Sequence, residues 1–176
     1  MTLYRDESYT SSYSDLVELG IEDTLFFQVA LQTNSSFASD VLLQVESCWA
    51  TESPNPGDAI QATFLQEGCP LDDTFRWLSV NGEAQRSRFS VQMFHMPLGL
   101  PLYFHCLTNI CGHDEVCTKN CSSQRRLKRL VSQMDGKEKQ AAVVSAGPLT
   151  VSTRVKSIHP DSFEAVLKYY NQLRLE

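Results

Sequence analysis

The chain has 176 residues, 42% of them hydrophobic, and a formal net charge of −6. This length favours one domain over two, and the hydrophobic content is enough for a buried core. The acidic balance argues against nucleic acid as a partner, although five basic residues lie between Arg125 and Lys137. No apolar run approaches the roughly 20 residues that a membrane-spanning helix needs.

Short stretches of alternating apolar residues follow one another along the chain, and each predicts a β-strand. The predicted strands cover residues 1–5, 24–31, 41–49, 60–68, 89–94, 102–106 and 143–151. In the second stretch, Leu25, Phe27, Val29 and Leu31 share one face. In the third, the alternation fails before Cys48, and we expect a β-bulge near Ser47 to turn Cys48 inward.

Polar stretches rich in turn-forming residues separate the predicted strands. Residues 51–58 read as a loop, and residues 72–88 as mostly loop with a turn at Asn81-Gly82. In the fourth predicted strand, Ile60, Ala62 and Phe64 alternate. Seven short strands with loops between them predict an all-β fold, an antiparallel β-sandwich.

Residues 156–176 change to a helical pattern. Their apolar residues fall on one helical face, namely Phe163, Val166, Leu167, Tyr170 and Leu173. Asp161 and Glu164 have the spacing of a capping box just after Pro160. We therefore expect a short C-terminal amphipathic helix, and the simpler interpretation is a surface helix without a role of its own.

Six cysteines lie between Cys48 and Cys121, an even number that suits a disulfide framework in a secreted protein. Cys48 and Cys106 both fall on predicted strands, so a bond between them would join two sheets. Asn34 and Asn120 each begin an N-glycosylation acceptor tripeptide. Together these features predict an extracellular protein that passes through the secretory pathway.

The first residues are polar and do not form a signal peptide. We therefore expect the chain to be a piece of a longer precursor. Its signal would lie upstream and any membrane anchor downstream.

No set of residues predicts catalysis, a cofactor or a metal site. The four histidines stand in unrelated contexts, and no Ser/His/Asp order stands out. His105 alternates with Phe104 and Cys106, so we expect it to face outward. Zinc at Cys111, Cys117 and Cys121 is a weaker alternative to disulfides, because their spacing is not that of a zinc finger. The chain is therefore predicted not to be an enzyme.

A basic cluster follows the last cysteine, and an apolar segment follows the cluster. The basic residues are Arg125, Arg126, Lys128 and Arg129, and Arg126 with Arg129 fits a furin-like Arg-x-x-Arg pattern. A heparin-binding patch or a solvated charge run are the alternatives. The position between the cysteines and a predicted strand favours a protease-cut loop, which would be exposed and mobile.

Four motifs and the order of the six cysteines resemble the C-terminal subdomain of the zona pellucida (ZP) module, over roughly residues 1–152. The motifs are Ser-Cys-Trp-Ala-Thr-Glu-Ser at 47–53, Gln-Glu-Gly-Cys-Pro at 66–70, Arg-Phe-Ser-Val-Gln-Met-Phe at 88–94 and Leu-Tyr-Phe-His-Cys at 102–106. The resemblance implies an immunoglobulin-like sandwich. It also implies the disulfides Cys48–Cys106, Cys69–Cys121 and Cys111–Cys117, although six cysteines allow 15 pairings.

The resemblance further implies a precursor that polymerises into extracellular filaments or matrix after cleavage at the basic loop. A hydrophobic patch on the last strand would block polymerisation until then. Its residues are Val143, Val144, Ala146, Gly147, Pro148, Leu149 and Val151. The implied parts are a core (1–121), a cleavage loop (122–140), a final strand (141–155) and a tail (156–176).

The implied partners are a processing protease and the N-terminal ZP subdomain of the same or a neighbouring chain, in a homopolymer. A membrane would be reached only through an anchor absent from this chain. The family also has receptor and co-receptor ectodomains that bind a soluble protein ligand without polymerising. That is the alternative function.

Overall fold

The fold is seen in a computed structural model that describes residues 1–13, 18–20, 23–32, 41–93, 101–121 and 140–151. The regular elements of these residues are β-strands, which we number in chain order. They are β1 (Thr2–Tyr4), β2 (Glu18–Leu19), β3 (Thr24–Ala30), β4 (Val41–Thr51), β5 (Ala62–Gln66), β6 (Cys69–Pro70), β7 (Phe75–Trp77), β8 (Arg86–Gln92), β9 (Pro101–Gly112) and β10 (Gln140–Val151). The predicted C-terminal helix, at residues 156–176, lies outside the described residues.

The strands form two sheets that face each other. One has the order β1-β3-β8-β7 and the other β2-β10-β9-β4-β5-β6. Neighbouring strands are antiparallel, except that β2 runs parallel to the last two residues of β10. The all-β sandwich predicted from the alternating apolar residues is therefore confirmed.

The core lies between the sheets and centres on Phe27 of β3. The Phe27 ring stacks on Phe89 of its own sheet at a centroid distance of 4.8 Å. It also meets the ring of Phe104, in the opposite sheet, edge-on at 5.2 Å. Offset and edge-on aromatic pairs add to the free energy of burial, so these contacts fix how the two sheets face each other. Leu25 and Val29, predicted to share the face of Phe27, are buried with it.

Two details of the predicted strands are wrong. Ile60 is 68% exposed, and β5 begins only at Ala62, because residues 52–61 form a loop over the outer face of the sheet. Residues 72–88 were expected to be mostly loop, yet they contain β7 and the start of β8. Phe75 of β7 is buried and stacks on Phe89 at 5.0 Å, so tertiary packing makes a strand of a segment with polar flanks.

The β-bulge expected near Ser47 is present. The register between β4 and β9 shifts between Val45 and Ser47, which leaves Glu46 as the extra residue. Side chains alternate along a strand, so one extra residue reverses which of them face inward. Val45 and Cys48, which a regular strand would place on opposite faces, are both fully buried.

All six cysteines are paired, in the arrangement that the family resemblance implies: Cys48–Cys106, Cys69–Cys121 and Cys111–Cys117. The expectation that Cys48–Cys106 joins two sheets is wrong. Cys48 and Cys106 lie directly opposite each other on the neighbouring strands β4 and β9 of one sheet, with their Cα atoms 4.2 Å apart. The bond therefore reinforces one pair of strands, and the aromatic core joins the sheets.

The predicted turn at Asn81-Gly82 also completes the edge of β4. The Asn81 Oδ1 atom accepts a hydrogen bond from the Val45 backbone N–H, and its Nδ2 atom donates one to the Val45 carbonyl, both at 2.8 Å. The Asn81 amide thus takes the place of a neighbouring strand at the bulge, where a buried backbone group without a partner would be costly.

We expect Asn81→Ala to lower the free energy of unfolding by about 2 kcal/mol, because two part-buried backbone groups of Val45 lose their partner. Urea denaturation with the disulfides intact measures this. Asn55→Ala is the matched control, since the Asn55 side chain accepts one bond from Gly57 in an exposed turn. Equal losses in the two variants would contradict the role given to Asn81.

Candidate functional site

The seam between β9 and β10 is where the predicted blocking strand meets the rest of the sheet. The two strands pair antiparallel from Gln140 opposite Ile110 to Ala146 opposite Phe104, and again at Leu149 opposite Leu102. On its other side, β10 pairs with β2 only at Thr150 and Val151. Among the described residues, β10 is thus an edge strand along most of its length, and its removal would leave the other strands of the sheet paired.

Few side chains of β10 reach the core. Leu149 is 2% exposed and belongs to the core, while Val144 and Ala146 are part-buried against it. Val143 points to the opposite face and remains 46% exposed. Burial of a leucine side chain contributes about 2 kcal/mol, so the backbone ladder and Leu149 provide most of what holds β10.

A bulge at Gly147-Pro148 puts Leu149 into the core. Ala146 lies opposite Phe104 and Leu149 opposite Leu102, so two residues of β10 face the single residue Tyr103. Without the extra residue, Pro148 would point inward and Leu149 outward. Position 147 requires glycine, because its φ is 131° and an added Cβ would lie 2.7 Å from the Leu102 carbonyl oxygen.

His105 faces outward from the core, as predicted, but it is not exposed to solvent. His105 does lie on the face opposite Phe104 and Cys106, but it is fully buried there. The Trp49 ring covers it at a centroid distance of 5.8 Å, and the Trp49 indole N–H donates to the Pro56 carbonyl of the following loop at 3.0 Å. An outward direction in the sheet is therefore not the same as exposure when a loop folds over that face.

Both nitrogens of His105 are hydrogen-bonded, one of them to the predicted blocking strand. Nε2 is 2.8 Å from the Thr51 hydroxyl, and Nδ1 is 2.7 Å from the Ser145 hydroxyl on β10. The Thr51 hydroxyl donates its own proton to the Ser53 carbonyl at 2.6 Å, so it can only accept from His105. This assigns the proton of the neutral ring to Nε2, and Nδ1 accepts from Ser145.

The surroundings of His105 favour this neutral ring. Burial lowers the pKa of His105 from its ordinary value of 6.5, and the backbone hydrogen bond with Ser53 acts in the opposite direction. The side chains that face the ring are Trp49 and Thr51 from β4 and Ser145 from β10, and none of them is charged. On its own strand, Tyr103 and Leu107 flank it on the same face.

We expect the stability of the fold to fall as the pH drops below 6.5. The pKa of His105 is lower in the folded chain than in the unfolded one, so acid protonates the unfolded chain first and stabilises it. The loss approaches about 1.4 kcal/mol per pH unit and stops at the folded pKa. Urea denaturation of the wild type and His105→Gln between pH 7.5 and 5 tests this, since the variant should lack this slope. Identical slopes would contradict it.

The carboxyl groups with lowered pKa act in a separate window. Hydrogen bonds from Ser8 lower the pKa of Asp6, and those from Ser53 and Ile60 lower the pKa of Asp58, both from 3.8. Both carboxyl groups therefore titrate below 3.8, which is outside the pH 7.5 to 5 range of that measurement.

The other predicted site residues are placed as follows. The cleavage residues Arg125, Arg126, Lys128 and Arg129 and the glycosylation residue Asn34 lie outside the described residues, so these assignments stay predictions. Asn120 is exposed, just before Cys121, as a glycosylation site requires. The blocking-patch residues all lie on β10. Within that patch, Leu149 is fully buried, Val144 and Ala146 are part-buried, and Val143, Gly147 and Pro148 are exposed.

Cys121 and β10 lie towards opposite edges of the six-stranded sheet. Cys121 is bonded to Cys69 of β6, at one edge, and β10 lies four strands away. Residues 122–139 therefore link two distant parts of the sheet. Because every cysteine precedes residue 122, β10 is joined covalently to the other strands only through this segment.

The described ranges hold no cluster of His, Cys, Asp or Glu that could bind a metal ion, and Cys111 and Cys117 are bonded to each other. They also contain no helix long and apolar enough to cross a membrane. Sequence reasoning missed Thr51 and Ser145 as the partners of His105. A single sequence carries no signal for them, because the contact depends on the register of three strands.

A family model of the zona pellucida ZP-C domain matches residues 1–122. The chain belongs to the zona pellucida family. The ZP-C match ends at the basic segment, so β10 lies beyond it. The prediction that the chain is not an enzyme agrees with its membership of this family.

Three relatives show the extent of the similarity. The pancreatic secretory granule membrane major glycoprotein GP2 of Homo sapiens is 30% identical over 85% of this chain. Uromodulin of Rattus norvegicus is 30% identical over 85% of the chain. GP2 of Mus musculus is 35% identical over 71%. The ZP-C chain spans only 27%, 23% and 24% of these relatives, respectively.

Proposed function

We propose that this chain is the C-terminal half of a ZP-module precursor that becomes a structural subunit of extracellular filaments or matrix. In the proposal, β10 keeps the precursor from polymerising until a protease cuts the basic loop at residues 125–129. Cleavage lets β10 leave, and a strand from another subunit takes its place. The N-terminal ZP subdomain of the same or a neighbouring chain is the proposed source of that strand.

One observation carries the proposal: β10 is a complete strand of the sheet, yet no disulfide holds it and its covalent link is the segment with the basic cluster. All three disulfides lie before β10 in the chain: Cys48–Cys106 joins β4 to β9, Cys69–Cys121 ties β6 to the segment after β9, and Cys111–Cys117 closes a short loop at the end of β9. A cut in residues 122–139 would therefore leave the rest of the sheet cross-linked while β10 kept only non-covalent contacts. This difference is what a removable strand needs.

Cleavage would act through effective concentration. While β10 is attached, it competes for the edge of β9 at an effective concentration on the order of millimolar, whereas after the cut it competes at its bulk concentration. The cut therefore shifts the equilibrium between β10 and an incoming strand without changing any contact of β10. Among residues 141–150, Leu149 is the one fully buried apolar side chain of β10, and this modest side-chain contribution supports release after a cut.

The place left by β10 would favour the addition of a strand. Departure exposes the backbone N–H and C=O groups of β9 from Leu102 to Ile110, together with the apolar site that Leu149 fills. An open sheet edge with an adjoining apolar pocket is the usual setting for strand addition between chains. Precursors and filaments would thus use the same edge of β9, first for β10 and then for a neighbour.

We further propose that the protein is secreted or membrane-anchored, and glycosylated at Asn34 and Asn120. The three disulfides support an oxidising compartment. The name of the similar GP2 proteins, a secretory granule membrane glycoprotein, supports the same location.

The experiment is to treat the secreted full-length precursor with a furin-type protease and to follow particle size by light scattering and electron microscopy. Filaments that appear only after the cut support the proposal. A cut product that stays monomeric contradicts it and favours the alternative, a receptor or co-receptor ectodomain that binds a soluble protein ligand.

A further inference from the structure

The hydrogen bond between Ser145 and His105 lies in the seam through which β10 would leave. Ser145 and His105 are direct partners in the β9–β10 ladder, and Trp49 is the partner of His105 on the other side. The bond joins a fully buried ring to a strand in which, among residues 141–150, Leu149 is the one fully buried apolar residue. A strand paired with β9 in this place thus makes a side-chain hydrogen bond to His105.

The direction of this bond is fixed by groups outside β10. The Ser53 carbonyl accepts a hydrogen bond from the Thr51 hydroxyl, and the Thr51 hydroxyl oxygen accepts one from the Nε2–H of His105. Nδ1 of the neutral ring is therefore left as an acceptor. A strand on β9 satisfies Nδ1 only if it presents a hydrogen-bond donor opposite His105. An apolar side chain of the same size would exclude water and leave a buried acceptor without a partner, which destabilises the complex.

We propose that His105 determines which strand can occupy the edge of β9, by requiring a hydroxyl-bearing residue, Ser or Thr, opposite it. The proposal rests on the proposed function, because it assumes that β10 can be exchanged. The partner is accordingly an extended segment of another polypeptide chain with a hydroxyl at this position.

The neighbouring positions complete the requirements for that segment. The residues before and after the hydroxyl occupy the places of Val144 and Ala146, which are part-buried against the core, so they must be small and apolar. The next residue must be glycine, because a Cβ at Gly147 would meet the Leu102 carbonyl oxygen at 2.7 Å and the Tyr103 Cα atom at 3.1 Å. One more residue, in the place of Pro148, completes the bulge, and a leucine then occupies the place of Leu149.

The test uses the full chain cut in the basic loop and fluorescent peptides with the sequence of residues 140–151. If the furin-type protease does not cut the chain, the recognition sequence of another site-specific protease is inserted within residues 130–139, and that protease makes the cut. Peptides with Ser145→Thr and Ser145→Val form a matched pair, since Thr and Val have the same shape and differ in one hydroxyl. Fluorescence anisotropy gives their dissociation constants at pH 7.5.

We expect the Thr peptide to bind within about twofold of the wild-type peptide and the Val peptide to bind roughly tenfold more weakly, the effect of one part-buried hydrogen bond whose acceptor side is fully buried. Equal affinities of the Thr and Val peptides would overturn the proposal. A double-mutant cycle adds a readout that packing alone would not give. In His105→Phe protein, which lacks Nδ1, the two peptides should bind equally.

Failure of the proposed function would look different. If no peptide binds and mass spectrometry shows the resident fragment still in place, then β10 does not exchange and the proposed function is wrong. The requirement for a hydroxyl is then tested in the uncut chain by urea denaturation. Ser145→Val should unfold at lower urea than Ser145→Thr, and equal midpoints would overturn the inference.

Discussion

Arg126→Ala with Arg129→Ala is expected to abolish cleavage of the precursor in the basic loop and to leave its folding intact. A furin-type protease requires the two outer basic residues of the Arg-x-x-Arg pattern. Both residues follow Cys121, the last cysteine, so the variant keeps all three disulfides. Immunoblotting of the secreted protein measures the cut, and the urea midpoint measures the fold.

Arg125→Ala is the matched control, because it removes one charge from the same cluster and keeps the Arg-x-x-Arg pattern. It should be cut at close to the wild-type rate. If the double variant is not cut but still assembles into filaments, cleavage does not control assembly and the proposed function is wrong. If Arg125→Ala blocks cleavage as fully as the double variant, the cutting enzyme does not read the furin-like pattern.

Leu149→Ala is expected to cost about 2–5 kcal/mol, the range for a leucine truncated in a packed core. Leu149 is 2% exposed and lies opposite Leu102, so the lost side chain leaves a cavity between β9 and β10. In the uncut chain, urea denaturation should show the loss. In the cut chain, the variant fragment should dissociate faster than the wild-type fragment.

Val143→Ala is the control on the same strand. Val143 is 46% exposed on the other face, so its truncation should cost less than about 1 kcal/mol. Similar losses for the two variants would show that β10 is held by its backbone ladder alone. The role of Leu149 as the anchor would then be wrong.

The sandwich could be predicted from the sequence because apolar and polar residues alternate clearly along its strands. In β3, Leu25, Phe27 and Val29 repeat at the period of two that places side chains on one face. The bulge before Cys48 was predictable for the same reason, because the alternation fails at one point. β7 could not be found this way, since it is three residues long and packs through Phe75 against Phe89, which is distant in the sequence.

The candidate site was predictable in its parts and not in its contacts. The order of cysteines, basic cluster and apolar segment already suggests a removable strand. The environment of His105 is different, because it depends on a loop that covers Trp49 and on the register of β10. Alternation along β9 predicts the direction of His105 but not what covers it, so its burial could not be predicted.

The account depends most directly on whether β10 leaves after the cut. The measurement is size-exclusion chromatography of the cleaved protein under native conditions, with mass spectrometry of each fraction. We expect the fragment that contains residues 140–151 to elute apart from the disulfide-bonded fragment that contains residues 1–121. A fragment that stays with the core at low concentration, with no exchange against added peptide of the same sequence, would contradict the account.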